Sequence, residues 1–493
     1  MCGDPIRLAF FGQMSERRAW RTLEFAKPFG LSCVFVIFGP MQAPLPIAEL
    51  IVPRWIVPIE PARVVLEQHA VALDAGKILA ILPLAEARRL YLPRRDTVLP
   101  NHALTPGLVN LHTHAAMSLL RGLGDDMPLM EWLNTRIWPV EQALLSYEFV
   151  LAGTRLACLE MLRGGTTCFS DMYFFPDAAA VAARDIGMRA NLGMTVIDMP
   201  TAAGGDADDY LERGLALYDR LRNEALLSFA FAPHAPYTIS DATFERIGVL
   251  AEQTGLPIQI HLHETETEIR EEEARHGCRP ISRLERLGLI GPTLTAIHAV
   301  YLSEYEIALF AERGVTIAHC PTSNLKLASG IVPIARYLDA GISIGIGTDG
   351  SASNNRLDMP GEMRLAALLA KGESGRADAF GAHAVLHAAT LAGARAFGLD
   401  ARIGSIVAGK EADLVAFDLG ALDYQPIFDV ASHLIFVAGR EAVSDVWVCG
   451  EPVVQKRQFV KQGARDAEAE GASDIALWQN RVRSRLDSRL GAT

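Results

Sequence analysis

Eight short apolar runs recur through the middle of the chain, separated by segments with the spacing of amphipathic helices. Gly, Pro or Asn bounds each run, as is typical of buried strands between turns. The runs are Gly107–Leu111, Thr166–Ser170, Arg189–Ile197, Leu227–Ala232, Pro257–Leu262, Leu294–Ala299, Val315–His319 and Ile342–Gly347. The intervening segments are long enough to return the chain for parallel pairing. This alternation predicts an α/β fold, a (β/α)8 TIM-type barrel at residues 104–404.

A doubly wound open sheet is the competing architecture. Such a sheet needs a topological switch point and usually a glycine-rich turn that binds phosphate after an early strand. No GxGxxG pattern follows an early strand in this chain. The barrel is therefore the preferred fold.

The segments on both sides of the barrel have the pattern of short strands separated by turns. Residues 44–103 and 405–460 are each too short to be stable alone, so we expect them to build one composite β-sandwich domain. Residues 461–493 have a charged helical pattern and are predicted to form a C-terminal helical tail. Residues 1–43 fit the remainder poorly, and we expect them to be a dispensable leader.

Two histidines, His112 and His114, close the first of the eight runs. In an extended strand, residues i and i+2 point to the same face, so both imidazoles leave the strand in one direction. That geometry can chelate a borderline metal such as zinc. An isolated His-x-His pattern is short and common, and a pair of hydrogen-bonded core histidines is the alternative interpretation.

The other predicted strands decide between these interpretations, because chemistry in such barrels lies at the C-terminal strand ends. Six of the eight ends carry an imidazole or a carboxylate, the later ones being His234, His261, His263, His298, His319 and Asp349. This concentration favours the metal site.

We predict one divalent metal per subunit, held by nitrogens of His112, His114 and His261 and an oxygen of Asp349. Zn2+ is the expected ion, with Fe2+ or Mn2+ as alternatives. Glu264 follows His261 by three residues and is placed to act as general acid and base towards a metal-bound water.

Composition excludes several classes of partner. The formal net charge is −12 and no long Lys/Arg block occurs, so we expect neither nucleic acid nor an anionic membrane as a partner. The seven cysteines lack CxxC spacing and indicate a reducing compartment. The apolar stretch Leu31–Met41 is too short to span a bilayer. We predict a soluble, cytoplasmic homo-oligomer that acts on a small molecule.

Several segments together carry a family resemblance. Residues 106–114 (PGLVNLHTH), 261–264 (HLHE) and 347–350 (GTDG) resemble the amidohydrolase superfamily. Residues 138–141 (WPVE), 319–327 (HCPTSNLKL) and 350–359 (GSASNNRLDM) resemble, more narrowly, the 5-methylthioadenosine/S-adenosylhomocysteine deaminases. The resemblance covers roughly residues 45–460, and the ordered set is far more specific than any one motif.

The resemblance implies hydrolytic deamination of an adenine nucleoside to the inosine analogue and ammonia, by attack of a metal-bound hydroxide. Glu264 would carry a proton to the purine ring, His298 would hold the attacking hydroxide, and Asp349 would help protonate the departing amine. Glu141 would accept hydrogen bonds from the ribose, and His234 would contact the substrate.

In this family, arginines contact the ribose or the amino-acid tail of the substrate, and no arginine of this chain can be matched to them with certainty from the sequence. Arg189 and Arg213 are the nearest candidates, and Arg189 is our predicted contact. The loop at 198–209 is acidic and suits a carboxylate poorly, so we expect 5′-methylthioadenosine to be preferred over S-adenosylhomocysteine, with adenosine also possible.

Two other functions stay open at this point. Another amidohydrolase activity, on guanine, an aminoheterocycle or a chlorotriazine, would keep the metal set and change the pocket. A non-catalytic barrel scaffold would show eroded ligand positions.

Overall fold

The computed structural model describes residues 43–490, and side chains as far as residue 487. The predicted leader at 1–43 lies, apart from its last residue, outside the described residues. Within residues 43–490, no helix is both long enough and apolar enough to cross a bilayer.

The N-terminal flank consists of strands and one helix. They are β1 (Leu45–Ile56), β2 (Leu66–Glu67), β3 (His69–Asp74), β4 (Lys77–Pro83), α1 (Leu84–Leu90) and β5 (Tyr91–Pro106). Strands β1 and β5 run parallel to each other, and β3 and β4 add to them in antiparallel order.

The eight predicted barrel strands are all present, and consecutive strands pair in parallel. Almost every residue in them is buried, because barrel strands are covered on both faces. They are β6 (Leu108–Thr113), β7 (Thr166–Asp171), β8 (Arg189–Val196), β9 (Leu227–Pro233), β10 (Ile258–Leu262), β11 (Leu294–His298), β12 (Thr316–His319) and β13 (Ser343–Ile346). The predicted TIM-type barrel is confirmed.

Helices connect the barrel strands and cover their outer face. The first half contains α2 (Leu129–Trp132), α3 (Trp138–Leu144), α4 (Tyr147–Arg163), α5 (Pro176–Ile186), α6 (Ala207–Leu221) and α7 (Asp241–Thr254). The second half contains α8 (Glu266–His276), α9 (Pro280–Arg286), α10 (Glu304–Arg313), α11 (Pro321–Lys326), α12 (Ile334–Asp339), α13 (Ser351–Asn354), α14 (Met359–Ser374), α15 (Ala382–His387) and α16 (Gly393–Ala396).

The barrel closes between its first and last strands through side chains and one main-chain bond. In the described residues the hydrogen-bonded sheet runs from β6 to β13 without a ladder joining those two strands. Across this seam, Asn110 Nδ2 donates to Thr348 Oγ1 at 2.8 Å, and the Thr348 amide returns a bond to Asn110 Oδ1 at 2.9 Å. The Asp349 amide donates to the His112 carbonyl at 2.9 Å.

The C-terminal flank joins the N-terminal one in a separate mixed sheet of nine strands. It contributes β14 (Leu414–Asp418), β15 (Val443–Val448), β16 (Glu451–Gln455) and β17 (Gln458–Phe459), together with the helices α17 (Val430–Phe436) and α18 (Gln462–Leu490). Strand β14 pairs antiparallel with β5, so segments from both sides of the barrel share one sheet. Helix α18 packs on α4, where Trp478 meets Phe149 edge-to-face at 5.2 Å between ring centroids.

Candidate active site

Four side chains from three strand ends meet at one point at the C-terminal end of the barrel. His112 Nε2 lies 3.3 Å from His261 Nε2 and 3.4 Å from Asp349 Oδ1. His114 Nε2 lies 3.3 Å from the same carboxylate oxygen. The structure thus brings together all four residues that the sequence analysis proposed as metal ligands.

Main-chain carbonyls orient two of the imidazoles by accepting hydrogen bonds from Nδ1, the ring nitrogen that faces away from the common point. His114 Nδ1–H donates to the Met172 carbonyl at 2.6 Å, and His261 Nδ1–H donates to the His234 carbonyl at 2.7 Å. A carbonyl only accepts, so the proton of each neutral ring resides on Nδ1. The Nε2 atoms then carry lone pairs that face the common point, as in histidines that bind a metal.

The electrostatics of the cluster keep the donors in the forms that bind metals. Burial lowers the pKa of His112 to about 4 and holds that of His261 well below its ordinary value. Burial alone would raise the pKa of Asp349, but the bond to His112 and the neighbouring imidazoles outweigh it and keep the carboxyl ionised. Neutral imidazoles and an ionised carboxylate are the ligating species.

A divalent cation fits this donor set. Three imidazole nitrogens converge within 4.8 Å of one another, and an anionic oxygen of Asp349 lies 3.4 Å from His112 Nε2. Such a set, three nitrogens with a carboxylate, is typical of catalytic zinc centres that keep a place for water.

Two further groups face the same point. His298 Nε2 lies 3.8 Å from Glu264 Oε2 and 3.9 Å from Asp349 Oδ2. On its other side, His298 Nδ1–H donates to Asn324 Oδ1 at 2.8 Å. Ser323 Oγ donates to Asp349 Oδ2 at 2.7 Å, which orients that carboxylate. Helix α11, which follows β12, therefore orients both His298 and Asp349.

Glu264, whose carboxyl lies beside His298, is buried. Burial raises its pKa, and the nearby His298 imidazole opposes that rise. A carboxyl with a raised pKa exchanges protons more readily near neutral pH than an exposed one. Glu264 thus has the position and the environment of a general acid and base.

The backbone carries strain at this end of the barrel. His263, His298 and Asp349 have φ values of 53°, 70° and 60°, in the left-handed region that non-glycine residues rarely adopt. Strain of this kind is found where surrounding structure holds functional groups in place.

A cavity of about 730 Å³ opens from the metal donors to the surface. Glu264, His298 and His234 line its inner end, while Glu141 and Tyr173 line one side. Its apolar wall comes from Met117, Leu129, Trp132, Leu133, Ile137, Trp138, Phe174, Ile197, Met199 and Leu327. Among residues 43–490, no lysine or arginine lines the cavity.

Arg189 does not join this group, which corrects the prediction that it contacts the substrate. It lies at the first position of β8, at the opposite end of the barrel, and is 1 % exposed. Its guanidinium pairs with Asp413 at 3.0 Å and Glu411 at 2.6 Å, tying the barrel to the segment before β14. Arg213, the other candidate, is exposed and pairs with Asp209 on its own helix.

Two histidines at strand ends also fall outside the site. His263 Nδ1–H donates to the Tyr301 carbonyl at 3.2 Å, and His319 is buried without lining the cavity. Conversely, Tyr173 lines the cavity although it was not among the predicted site residues. Its signal in the sequence is a hydroxyl group two residues after the end of β7.

Known proteins resemble the chain over most of its length. The model of the amidohydrolase family matches residues 103–453. A protein of Saccharophagus degradans named 5-methylthioadenosine/S-adenosylhomocysteine deaminase is 43% identical, covering 90% of this chain and 98% of its own. The crystal structure of an adenosine deaminase from Xanthomonas campestris with bound zinc has a TM-score of 0.87 and 50% identity, covering 90% of this chain and 100% of that one.

A second solved structure has a different activity in its name. Atrazine chlorohydrolase from Arthrobacter aurescens, complexed with zinc, has a TM-score of 0.80 and 25% identity, covering 87% of this chain and 100% of that one. The family match and the coverage of these relatives agree with the barrel fold. The chain belongs to the amidohydrolase family and is a hydrolase that acts on carbon–nitrogen bonds.

Proposed function

We propose that the protein deaminates an adenine nucleoside by metal-dependent hydrolysis, with 5′-methylthioadenosine as preferred substrate. The products are the corresponding inosine analogue and ammonia. The observation that carries the proposal is the convergence of Glu264 and His298 on the metal donor Asp349, in the lining of a cavity of about 730 Å³.

Deamination of a purine demands three things of the site. Carbon 6 is a poor electrophile, so a strong oxygen nucleophile must attack it while the ring nitrogen is protonated. The departing amine must be protonated as well. A divalent cation held by the four donors would supply the first requirement by lowering the pKa of a water.

Three side chains divide the remaining work. Glu264, whose pKa is raised by burial, takes a proton and delivers it to the ring nitrogen. Asp349 takes the second proton and passes it towards the leaving amine, while His298 holds the nucleophilic oxygen by a hydrogen bond. The Asn324 and Ser323 contacts keep His298 and Asp349 aimed at that point.

The sides of the cavity suit a ribose and an apolar tail. Glu141 and His234 both line this cavity. In this proposal Glu141 accepts hydrogen bonds from ribose hydroxyls, and His234 contacts the substrate. The tail would meet an apolar rim with no lining lysine or arginine among the described residues. A methylthio group fits that rim, whereas the carboxylate of S-adenosylhomocysteine would lose its water shell without gaining a cation.

We propose zinc as the metal, supported by the imidazole-rich donor set and by the zinc in the Xanthomonas campestris structure. Cytoplasmic location is also our proposal, supported by the five described cysteines, which are all free thiols. A homo-oligomer remains a prediction from the sequence.

A spectrophotometric screen tests the function. Purified protein is assayed with adenosine, 5′-methylthioadenosine, S-adenosylhomocysteine, guanine and a chlorotriazine, and its metal content is measured by elemental analysis. We expect deamination of nucleosides, fastest for 5′-methylthioadenosine, and a loss of roughly 10²–10⁴-fold in kcat for Glu264→Gln with the metal retained. Turnover of guanine or chlorotriazine alone would contradict the proposal.

A further inference from the structure

The proposed proton carrier, Glu264, lies on a short, strained connection between β10 and α8. His263, just before it, has a φ of 53°. Thr265, just after it, is the N-cap of α8 and accepts a hydrogen bond from the Glu268 amide at 3.1 Å. A connection in such a conformation needs partners to hold it.

The carboxyl group of Glu268 supplies those partners. Glu268 Oε1 accepts from the His263 amide at 2.9 Å, and Glu268 Oε2 accepts from the Glu264 amide at 2.8 Å. The Glu268 side chain is 7 % exposed, so water does not compete for these bonds. Both oxygens are engaged by consecutive amides, and this two-point contact fixes the direction in which the Glu264 side chain leaves the backbone.

We propose that Glu268 is a positioning residue for the reaction, acting through the backbone of Glu264; this rests on the proposed function. Proton transfer to a bound substrate requires heavy atoms within hydrogen-bond reach. A displacement of about 1 Å can cost on the order of 10²-fold in rate. Glu268 holds Glu264 within that tolerance.

A helix cap without catalytic influence is the competing interpretation of the same bonds. Glu272 provides a matched control because it lies one turn later on α8 and is also buried. Its Oε2 accepts from Arg283 Nη1 at 3.0 Å, away from the connection that carries Glu264. Glu272→Gln therefore removes a buried carboxylate from the helix and leaves the Glu264 backbone contacts in place.

The glutamine variant of Glu268 keeps the size of the side chain and removes one acceptor. Its amide can accept from one backbone N–H and presents its own N–H groups to the other. We expect Glu268→Gln to lower kcat for 5′-methylthioadenosine roughly 10- to 100-fold. KM and the metal content should stay as in the wild type, and Glu272→Gln should keep a kcat close to that of the wild type.

A double-mutant cycle with Glu264→Gln tests whether Glu268 acts through Glu264. If it does, Glu268→Gln adds no further loss of kcat once Glu264 has been replaced. Multiplying losses would overturn the proposal, and so would a Glu268→Gln enzyme as active as the Glu272→Gln enzyme. Should Glu268→Gln fail to fold, Glu268→Asp, which keeps the carboxyl group and shortens the side chain, takes its place in the cycle.

The wild-type assay separates this proposal from the proposed function. A folded, metal-loaded wild type that deaminates no nucleoside overturns both. An active wild type together with an unaffected Glu268 variant overturns the positioning role alone.

Discussion

The Tyr173 hydroxyl donates a hydrogen bond of 2.5 Å to Oε1 of Glu141 on the side of the cavity. Burial raises the pKa of Glu141, and this hydrogen bond opposes the rise. Tyr173 therefore favours the ionised carboxylate and fixes its direction. The second oxygen of Glu141 is left to accept from a ligand.

Replacement of Tyr173 by phenylalanine should weaken nucleoside binding. A hydrogen bond to a charged group contributes about 1.5–3 kcal/mol, so we expect KM for 5′-methylthioadenosine to rise at least about tenfold. The value of kcat should change little, because the reacting atoms are held by other residues. Steady-state kinetics measure both constants. Nucleosides lacking the 2′- or 3′-hydroxyl serve as controls, and an equal rise in KM for all of them would argue against a ribose acceptor.

A cationic side chain introduced at the apolar rim of the cavity should shift the substrate preference from 5′-methylthioadenosine towards S-adenosylhomocysteine. Met199 lines the cavity and is 46 % exposed, so arginine can be accommodated there. An exposed ion pair contributes about 0.2–1 kcal/mol, and we expect Met199→Arg to raise kcat/KM for S-adenosylhomocysteine relative to 5′-methylthioadenosine by up to about fivefold. Competition between the two nucleosides measures the ratio.

Met130→Arg is the matched control for that change. Met130 is similarly exposed, and it does not line the cavity. The gain from Met199→Arg should shrink at high ionic strength, because exposed charges are screened. An equal gain from both variants would point to long-range charge rather than contact with the tail.

The barrel strands could be predicted from the sequence because both of their faces are buried, so each appears as a continuous apolar run. The four donors followed from the rule that sites lie at C-terminal strand ends. The same rule excludes Arg189, which stands at the start of β8. Its partners Asp413 and Glu411 are more than 200 residues away in the sequence, and no sequence pattern predicts that they pair with Arg189.

The cavity wall was harder to foresee. Leu129, Trp132 and Leu133 have the spacing of an ordinary helix that packs on a core, and in the structure they also line the cavity. Whether an apolar helix face meets the core or a ligand depends on what the rest of the chain packs against it. That information is tertiary, and local periodicity does not contain it.

Truncation of Arg189 should destabilise the protein without altering substrate selection. Arg189→Ala leaves Asp413 buried without its cation, and we expect a loss of about 3–5 kcal/mol in the free energy of unfolding. Arg213→Ala, at an exposed pair, should change it by no more than about 0.5 kcal/mol. Chemical denaturation measures both. A rise in KM for S-adenosylhomocysteine in the folded Arg189 variant would restore its role as a tail contact.

Glu362 on α14 should make stability depend on pH. Burial raises its pKa from 4.5 to about 7, although Thr322 and Asn354 donate hydrogen bonds to it. Between these two pH values the folded protein binds more protons than the unfolded chain, so the free energy of unfolding falls as pH rises. Glu362→Gln removes the titrating group, and the decline between pH 4.5 and about 7 should become shallower.

Unfolding curves at a series of pH values, at constant metal concentration, give the slope of the unfolding free energy against pH for the wild type and for Glu362→Gln. The comparison uses slopes, so a constant offset in stability between the variants does not affect it. Parallel curves for wild type and Glu362→Gln would show that Glu362 titrates at its ordinary pKa in the folded protein.

The metal donors lie on both sides of the seam between β6 and β13, so a bound metal would also affect the stability of the barrel. His112 stands on one side of that joint and Asp349 on the other, and the sheet has no ladder between them in the described residues. A cation bound by both residues would cross-link the first and the last strand of the barrel. The residues that perform the chemistry would then also help to hold the barrel closed.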